Sequence, residues 1–395
     1  MKSEWITVSL GEIANVKGGK RLPKGINLIT RPNKHPYIRV RDLNGEKTLE
    51  LNNNYEYVDD IIQKTISRYT VKKGDIVLSI VGTIGLVGIV GDSLDGANLT
   101  ENCVKLTSLQ GINKDYLYYF LKSFKGQQEI RKGVVGAVQA KLPIKNIQAI
   151  KLELPDIETQ FKIVSILKAL DDKIALNNKI NDNLEQQAQA VFHKMFLEDA
   201  QRKRVSVKDV ALNVTDGVHN TVKDDPDGQY YLLSCKNIKG GKITLGNSER
   251  KINEETFERL RKRTKLEKGD ILLSSVGTIG ELVLLNEEPS HYEFQRSVAM
   301  IKANRKIVSP EYLYEALLTQ KSEIIHAAHG AVQQCVFISD ILGFIIPLPT
   351  KEELSKFESL VVPVFDKIQQ NENEIRCLAD LRDTLLPKLM NGEIL

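Results

Sequence analysis

Cysteine is scarce in this sequence, and Cys103, Cys235, Cys335 and Cys377 stand far apart with no Cys-x-x-Cys spacing. That excludes a zinc knuckle, an iron–sulfur cluster and a disulfide framework, and buried thiols are expected instead. No apolar run approaches the ~18 residues of a membrane span, and Met1-Lys2-Ser3-Glu4-Trp5 holds no apolar signal core. The expectation is a cytoplasmic chain without a membrane segment. A phosphate loop is missing too, because Gly19-Lys20 and Gly241-Lys242 lack the upstream glycine and the following hydroxyl residue, so ATP hydrolysis has no support. A base methyltransferase needs an Asn/Asp-Pro-Pro-aromatic loop, and Asp225-Pro226-Asp227-Gly228 lacks the second proline. The acids are dispersed where a metal nuclease clusters them. His326 and His329, with Cys335 downstream, find no fourth zinc ligand at a recognised spacing and read as a surface pair.

What is present is an ordinary globular composition, 42% hydrophobic and 27% charged over 395 residues, enough for two or three domains at about 150 residues each. The net charge of +4 is unevenly spread. Residues 1–150 carry 22 basic against 14 acidic residues, whereas 199–346 carry 21 against 20. A first segment at +8 suits a polyanionic partner.

The sequence repeats itself once. GDIVLSIVGTIG from Gly74 returns as GDILLSSVGTIG from Gly269, and GAVQ from Gly136 returns from Gly330. VSLGEIANV from Val8 matches VSVKDVALNV from Val205, Tyr37-Ile38 matches Tyr231-Leu232, and Leu154-Pro155 matches Leu348-Pro349. Two long units cannot form a solenoid, so the expected product is two similar domains related by a pseudo-twofold axis. Before each Leu-Pro pair, short β-branched runs punctuated by Gly, Asn and Asp read as strands. A helical stretch interrupts them at about 113–132 and 310–326, with Tyr116, Leu117, Phe120, Leu121 and Phe124 on one face. GTIG follows a strand and precedes another, which makes it a hairpin turn and not a phosphate cradle.

After each Leu-Pro pair the period becomes that of a long helix. Ile163, Leu167, Leu170, Ile174, Asn177, Asn181, Leu184, Ala188, Val191 and Met195 form one heptad seam. Phe357, Val361, Val364, Ile368, Asn371, Ile375, Leu378, Arg382, Leu385 and Leu389 form the other. Asp156 and the Thr350-x-x-Glu353 box mark the starts. Rods of about 37 residues with so narrow an apolar stripe are unstable alone, so a coiled coil is expected. Asn177 and Asn371 lie near the two midpoints, and an antiparallel pair brings them together to satisfy both amides and set register. Pro387 should bend or stop the second helix, and only that one, because the first has His193 at the matching place. The fold class is therefore α+β: two β-rich domains separated by two long antiparallel helices. Its boundaries are 1–154, 155–198 for the first spacer helix, 199–348, and 349–395 for the second helix and tail.

The ordered recurrence of GD-[IV]-L-x-S-x-VGTIG, of GAVQ before a Leu-Pro and a long helix, and the terminal LLPKLMNGEI from Leu385 resembles the specificity subunits of type I restriction–modification systems. The resemblance covers the whole chain. It implies two target-recognition domains, each reading one part of a split double-stranded DNA target, with the helices as spacer and docking surface. It implies no catalysis and no cofactor in this chain. S-adenosylmethionine would belong to partner modification subunits, two of them, which methylate adenine, while ATP and Mg would belong to restriction subunits that translocate and cleave. A structural adaptor and a standalone restriction enzyme are the competing readings, separated by salt-dependent DNA binding and by metal-dependent cleavage.

The candidate DNA-binding residues follow from residue chemistry. Lys20, Arg21 and Lys24 sit on the Gly/Pro loop GGKRLPKG and can reach phosphates or guanine edges. Arg39 and Arg41 alternate with Ile38 and Val40, which places two guanidinium groups on one strand face, with pairing to Asp42 or Glu46 as the alternative. His219 and Asn220 lie on a polar loop, and Arg261, Lys262 and Arg263 belong, with Arg259 and Lys265, to a phosphate-positioning cluster. Gln139 and Gln333 occupy matching places, which favours a structural role.

Overall fold

The structure, a computed structural model, describes residues 5–43, 45–136, 138–219, 222–246, 249–330 and 334–394. The chain divides into two compact units, Met1–Ile174 with Arg376–Leu395 and Ala175–Ile375. Among the described residues no helix is long and apolar enough to cross a membrane.

In the first unit the main sheet among the described residues has five strands, in the spatial order Asn15–Gly18, Cys103–Thr107, Ile76–Ser79, Val87–Val90 and Thr48–Leu49. Successive side chains of a strand point to opposite faces. Ile76 and Leu78 therefore enter one core, with Tyr116, Leu117 and Leu121 of the helix Lys114–Lys122, while Val77 enters another with Ile38, Leu99 and Cys103. Burial on both faces explains why Ile76-Val77-Leu78 is continuously apolar. A three-stranded sheet of Glu56–Tyr57, Pro36–Ile38 and Asn98–Leu99 covers the second face, and Ile6–Ser9 pairs antiparallel with Lys151–Leu154.

The second unit is built alike. Its larger sheet runs Ala211–Asp216, Val298–Ala303, Ile271–Ser274 and Leu282–Leu284; its three-stranded sheet runs Lys251–Ile252, Tyr230–Leu233 and Tyr292–Phe294. Ile271 and Leu273 enter one core and Leu272 the other, as in the first unit. Both GTIG segments are hairpin connections held by a serine. The Ser79 hydroxyl donates to the Thr83 carbonyl at 2.6 Å and accepts from the Leu86 N–H at 2.8 Å. Ser274 does the same with Thr278 and Glu281. Gly82 and Gly85 have φ of +78° and +94°, and Gly277 and Gly280 +77° and +88°, a region glycine enters without a Cβ clash.

Each long helix supplies a segment to each unit. The first runs Ile157–Phe196 and the second Lys351–Met390, 40 residues each. The Asp156 carboxylate accepts from the Thr159 N–H at 2.8 Å, and Thr350 and Glu353 exchange capping bonds at 2.9 and 3.2 Å. In the first unit Ile163 and Leu167 share a core with Leu389 and Met390, and Arg382 donates to Asp171 at 3.0 Å. In the second, the Phe192 and Phe196 rings lie 5.8 and 5.5 Å from Phe357. Residue numbers rise on one helix as they fall on the other, so the pair is antiparallel.

Five expectations are corrected. Asn177 and Asn371, 1% and 2% exposed, do not bond to each other. Asn177 Nδ2 donates to Glu374 at 2.9 Å, and Asn371 Nδ2 to Asn181 at 2.7 Å. The register is displaced by about one helical turn from the alignment of midpoints, and Asn181, one turn beyond Asn177, takes its place. The second sheet-strand match is Ile38 with Leu233, since Thr100 N–H bonds Ile38 as Gln295 N–H bonds Leu233, at 3.0 and 2.9 Å. Phe124 is 69% exposed, because the helix breaks at Ser123, which turns extended (ψ 159°) and caps the next helix through Gly126. Of the cysteines only Cys103 is buried, and Cys377 is exposed, because it falls on the outer side of the second helix. Pro387 does not stop the second helix, which runs on to Met390, the counterpart of Phe196 where the first helix ends, so the two helices are equal in length.

Two outcomes follow. A double-mutant cycle with alanine at Asn181 and Asn371 should give a coupling energy of about 0.5–3 kcal/mol, whereas Asn177 with Asn371 should be nearly additive; the reverse pattern in urea melts would restore the midpoint register. Glu315, 1% exposed and with Oε2 unbonded, has its pKa pushed up to about 8 by burial and then by the Glu185 carboxylate. A raised carboxyl holds its proton in the fold, so stability should fall as pH climbs from the ordinary 4.5 towards about 8. Glu315→Gln should raise the melting temperature at pH 8 and leave it unchanged at pH 5, and an unaltered pH profile would contradict this.

Candidate nucleic-acid interface

In each unit one loop leaves the first sheet, lies over a helix and returns to the three-stranded sheet. In the first unit this loop is residues 20–35. Gly19 starts it where a Cβ would stand 2.0 Å from the Thr100 carbonyl, so only glycine fits. Lys20 N–H bonds the Leu99 carbonyl at 2.8 Å and its carbonyl accepts the Tyr37 hydroxyl at 2.8 Å. Further along, Ile29 and Tyr57 exchange backbone bonds at 2.9 and 2.8 Å, and Asn33 Nδ2 donates to Val58 at 2.7 Å. Leu22 and Leu28 turn inward onto Ile62, Ile66 and Tyr69 of the helix Asp60–Ile66 and the turn Ser67–Tyr69. With the apolar residues inside, the charged ones face water.

The sequence candidates of this unit divide accordingly. Lys20 is exposed with its ammonium 5.7 Å over the Tyr69 ring, a cation–π distance. Lys24 is exposed and has no partner among the described residues. Arg21, 79% exposed, pairs with Glu101 at 2.5 Å. Arg39 and Arg41 do not share a strand face. The strand ends at Ile38, and Val40–Asp42 forms a 3-10 turn closed by the Asp42 carboxylate accepting from the Arg39 N–H at 2.7 Å. Both guanidinium groups converge on Glu56, Arg39 through Nη1 and Arg41 through Nη2 at 3.2 Å. Burial pushes the Asp42 carboxyl up to about 6, opposed by Arg41. Arg39 Nε and Nη2 are buried and unbonded.

In the second unit the loop is 218–229. Val218 N–H bonds Phe294 at 3.2 Å, Val222 packs on Phe257 and Leu260, and the Tyr230 ring stacks on Phe257 at 4.0 Å. His219 is exposed and contacts Asp216 at 2.7 Å; Asn220, like Gln333, lies outside the described residues. The helix Glu254–Thr264 carries the basic cluster and ends at Lys265 in the left-handed region. Lys262 and Arg263 are exposed, with Arg263 Nη2 on the Asp216 carbonyl at 3.1 Å. Arg261 is used internally: it pairs with Glu293, which is 0% exposed, donates to Pro289 and Tyr292 carbonyls at 2.5 and 3.0 Å, and lies 4.8 Å over the Phe257 ring. Burial raises the Glu293 carboxyl, and Arg261 opposes the rise.

Sequence reasoning missed Arg31, Lys34, Lys64 and Arg68, all exposed on or beside the first loop. A local count finds them, since residues 20–35 hold five basic residues and no acid. Among the described residues no group of His, Cys, Asp and Glu could hold a metal ion. His329 instead stacks on Phe337 at 5.6 Å and meets Asp340 at 3.4 Å.

The geometry separates struts from free cations, which gives a stability test. Arg261→Met should cost about 3 kcal/mol because it strands the buried Glu293, whereas Lys262→Ala should stay within about 0.5 kcal/mol of the parent. Equal effects in urea unfolding would contradict the division.

A family model described as type I restriction modification DNA specificity domain matches residues 2–186 and 217–375. The type I restriction enzyme MjaIX specificity subunit of Methanocaldococcus jannaschii is 26% identical over 385 residues, covering 91% of this chain and 86% of that protein. The HindI specificity subunit of Haemophilus influenzae is 25% identical, covering 99% of this chain and all (100%) of that protein. Among solved structures, the S subunit of a type I restriction–modification system from M. genitalium superposes with a TM-score of 0.56 at 16% identity, covering 98% of this chain and 96% of that one. That likeness extends the two-unit fold to a crystal structure.

Proposed function

The chain belongs to the family of the type I restriction modification DNA specificity domain, and we propose that it reads a bipartite, asymmetric DNA target for a modification and restriction complex. Sequence recognition is the family's role, and the specificity subunit is the non-catalytic member of the complex it serves. The observation that carries the proposal is the doubled unit: the family model matches twice, and each copy presents one outward loop and helix of its own sequence. Two readers with unlike surfaces require two unlike half-sites.

The functional division is 1–154 and 199–348 as readers, with 155–198 and 349–395 as the helical spacer. Because that spacer is built from helices with 1.5 Å rise per residue, its length makes the gap between half-sites a geometric property. Lys20, Arg21 and Lys24 act on the first half-site, and His219, Asn220, Lys262 and Arg263 on the second. Arg39, Arg41 and Arg261 serve by holding the reading surface in shape, since each is committed to a carboxylate. The helices dock two modification subunits, which supply S-adenosylmethionine, and restriction subunits, which supply ATP and Mg chemistry. The complex works in the cytoplasm, where its DNA is.

Mapping methylated adenines in a host that expresses this chain with its modification subunits tests the reading. Two short, different sequences at a fixed separation are expected. A single uninterrupted motif, or a palindrome, would overturn it.

A further inference from the structure

The two reading surfaces are made in the same way and charged differently. On the first, loop 20–35 carries five basic residues and no acid, and the underlying segment 60–69 adds Lys64 and Arg68 against Asp60. Asp60 already contacts His35, at 3.1 Å. Lys20, Lys24, Arg31, Lys34, Lys64 and Arg68 are all exposed, and none has an ion-pair partner among the described residues. The loop is held at both ends and in the middle by backbone bonds and by Leu22 and Leu28 packed beneath it. Its cations are therefore presented from one fixed layer, outward.

On the second surface, loop 218–229 carries Lys223 against Asp224, Asp225 and Asp227. The helix beneath it opens with Glu254, Glu255 and Glu258 before Arg259, Lys262 and Arg263. One of its four cations, Arg261, is withdrawn into the pair with Glu293. Acids and bases nearly cancel over this face. A duplex approaching it meets at least as many acidic as basic side chains.

We infer that the two readers divide the work unequally: the face of loop 20–35 and residues 60–69 is a phosphate clamp that supplies most of the salt-dependent affinity, and the 218–229 face discriminates bases with little phosphate contribution. This rests on the DNA-reading function proposed above and adds which half does what. The physical basis is counterion release. Each phosphate neutralised by a fixed cation contributes about 0.9 to the slope of log affinity against log salt, and such contacts are the same on any sequence. Six unpaired cations on one side and a near-neutral face on the other should give very different slopes. Landing on DNA would then be led by the first reader, and the choice of site completed by the second.

The test uses the full chain, purified with its co-expressed modification subunits, on a duplex carrying the mapped half-sites and on a scrambled duplex, between about 50 and 200 mM salt. The variant K24Q/R31Q/K34Q should flatten the salt slope by about 2 to 3. It should weaken both duplexes alike, so that the ratio between them holds within about twofold. The matched variant K223Q/R259Q/K262Q should change the slope by less than about 1. Equal slope changes in the two variants, or a first-variant loss confined to the specific duplex, would overturn the inference while leaving DNA reading intact. If the parent complex binds neither duplex at any salt, the proposed function itself falls, and this inference with it. Melting curves of each variant check the fold. Should the triple variant melt early, the single changes K34Q and R68Q carry the same test, each flattening the slope by about 0.9.

Discussion

Two helices with a narrow apolar stripe cannot stand alone, and everything else in the structure is arranged around their burial. Forty residues with a seam of a and d positions expose too little apolar surface for a core and too much for solvent. Each unit closes its core only by enclosing a segment of both helices. Leu389 and Met390, near the chain's end, belong to the same cluster as Leu10 and Ile13, near its start. Phe357, Val361 and Phe365 belong with Phe192 and Phe196. The asparagines of the seam are buried and Arg382 half-buried, and they restrict register, since Asn371 reaches Asn181 and Arg382 reaches Asp171. An apolar seam alone would tolerate a slip of one heptad. These pairs do not.

With the helices fixed, the repeated parts of the sequence form the frame and the unrepeated parts form the surface. The serine that holds GTIG, the glycines with positive φ and the doubly buried strand recur in both units. The outer loop and the helix beneath it differ in length, charge and chemistry. In the first unit the apolar layer under the loop is Leu22, Leu28 and Ile62; in the second it is Val222 and a Tyr230–Phe257 stack. Such a layout lets the surface change while the frame is kept.

Much of this was legible in the residues. The duplication, the mixed fold and the antiparallel helices follow from periodicity, because an amphipathic stripe and a doubly buried strand leave direct marks on sequence. What was hidden depends on partners distant in the chain. Arg261 reads as one of a basic run until Glu293, on a strand 32 positions later, is seen to hold it. Arg39 and Arg41 read as an alternating strand until Asp42 caps a turn and Glu56 draws both in. Helix register was misjudged by a turn because the midpoints carry no information about which polar side chains, Asn181 and Glu374 among them, compete for the same partners. Phe124 was misplaced because a serine can end one helix and begin the next without a glycine or proline to announce it.

The antiparallel pairing can be measured directly. Spin labels at residues 162 and 388, both exposed on the helix pair, with the native cysteines replaced by serine, report one distance within the first unit. Helices packed side by side at 8–10 Å in antiparallel order predict a separation within about 25 Å. A parallel pair would put residue 162 opposite 356 and leave residue 388 roughly 50 Å away, and a distance of that size would contradict the account.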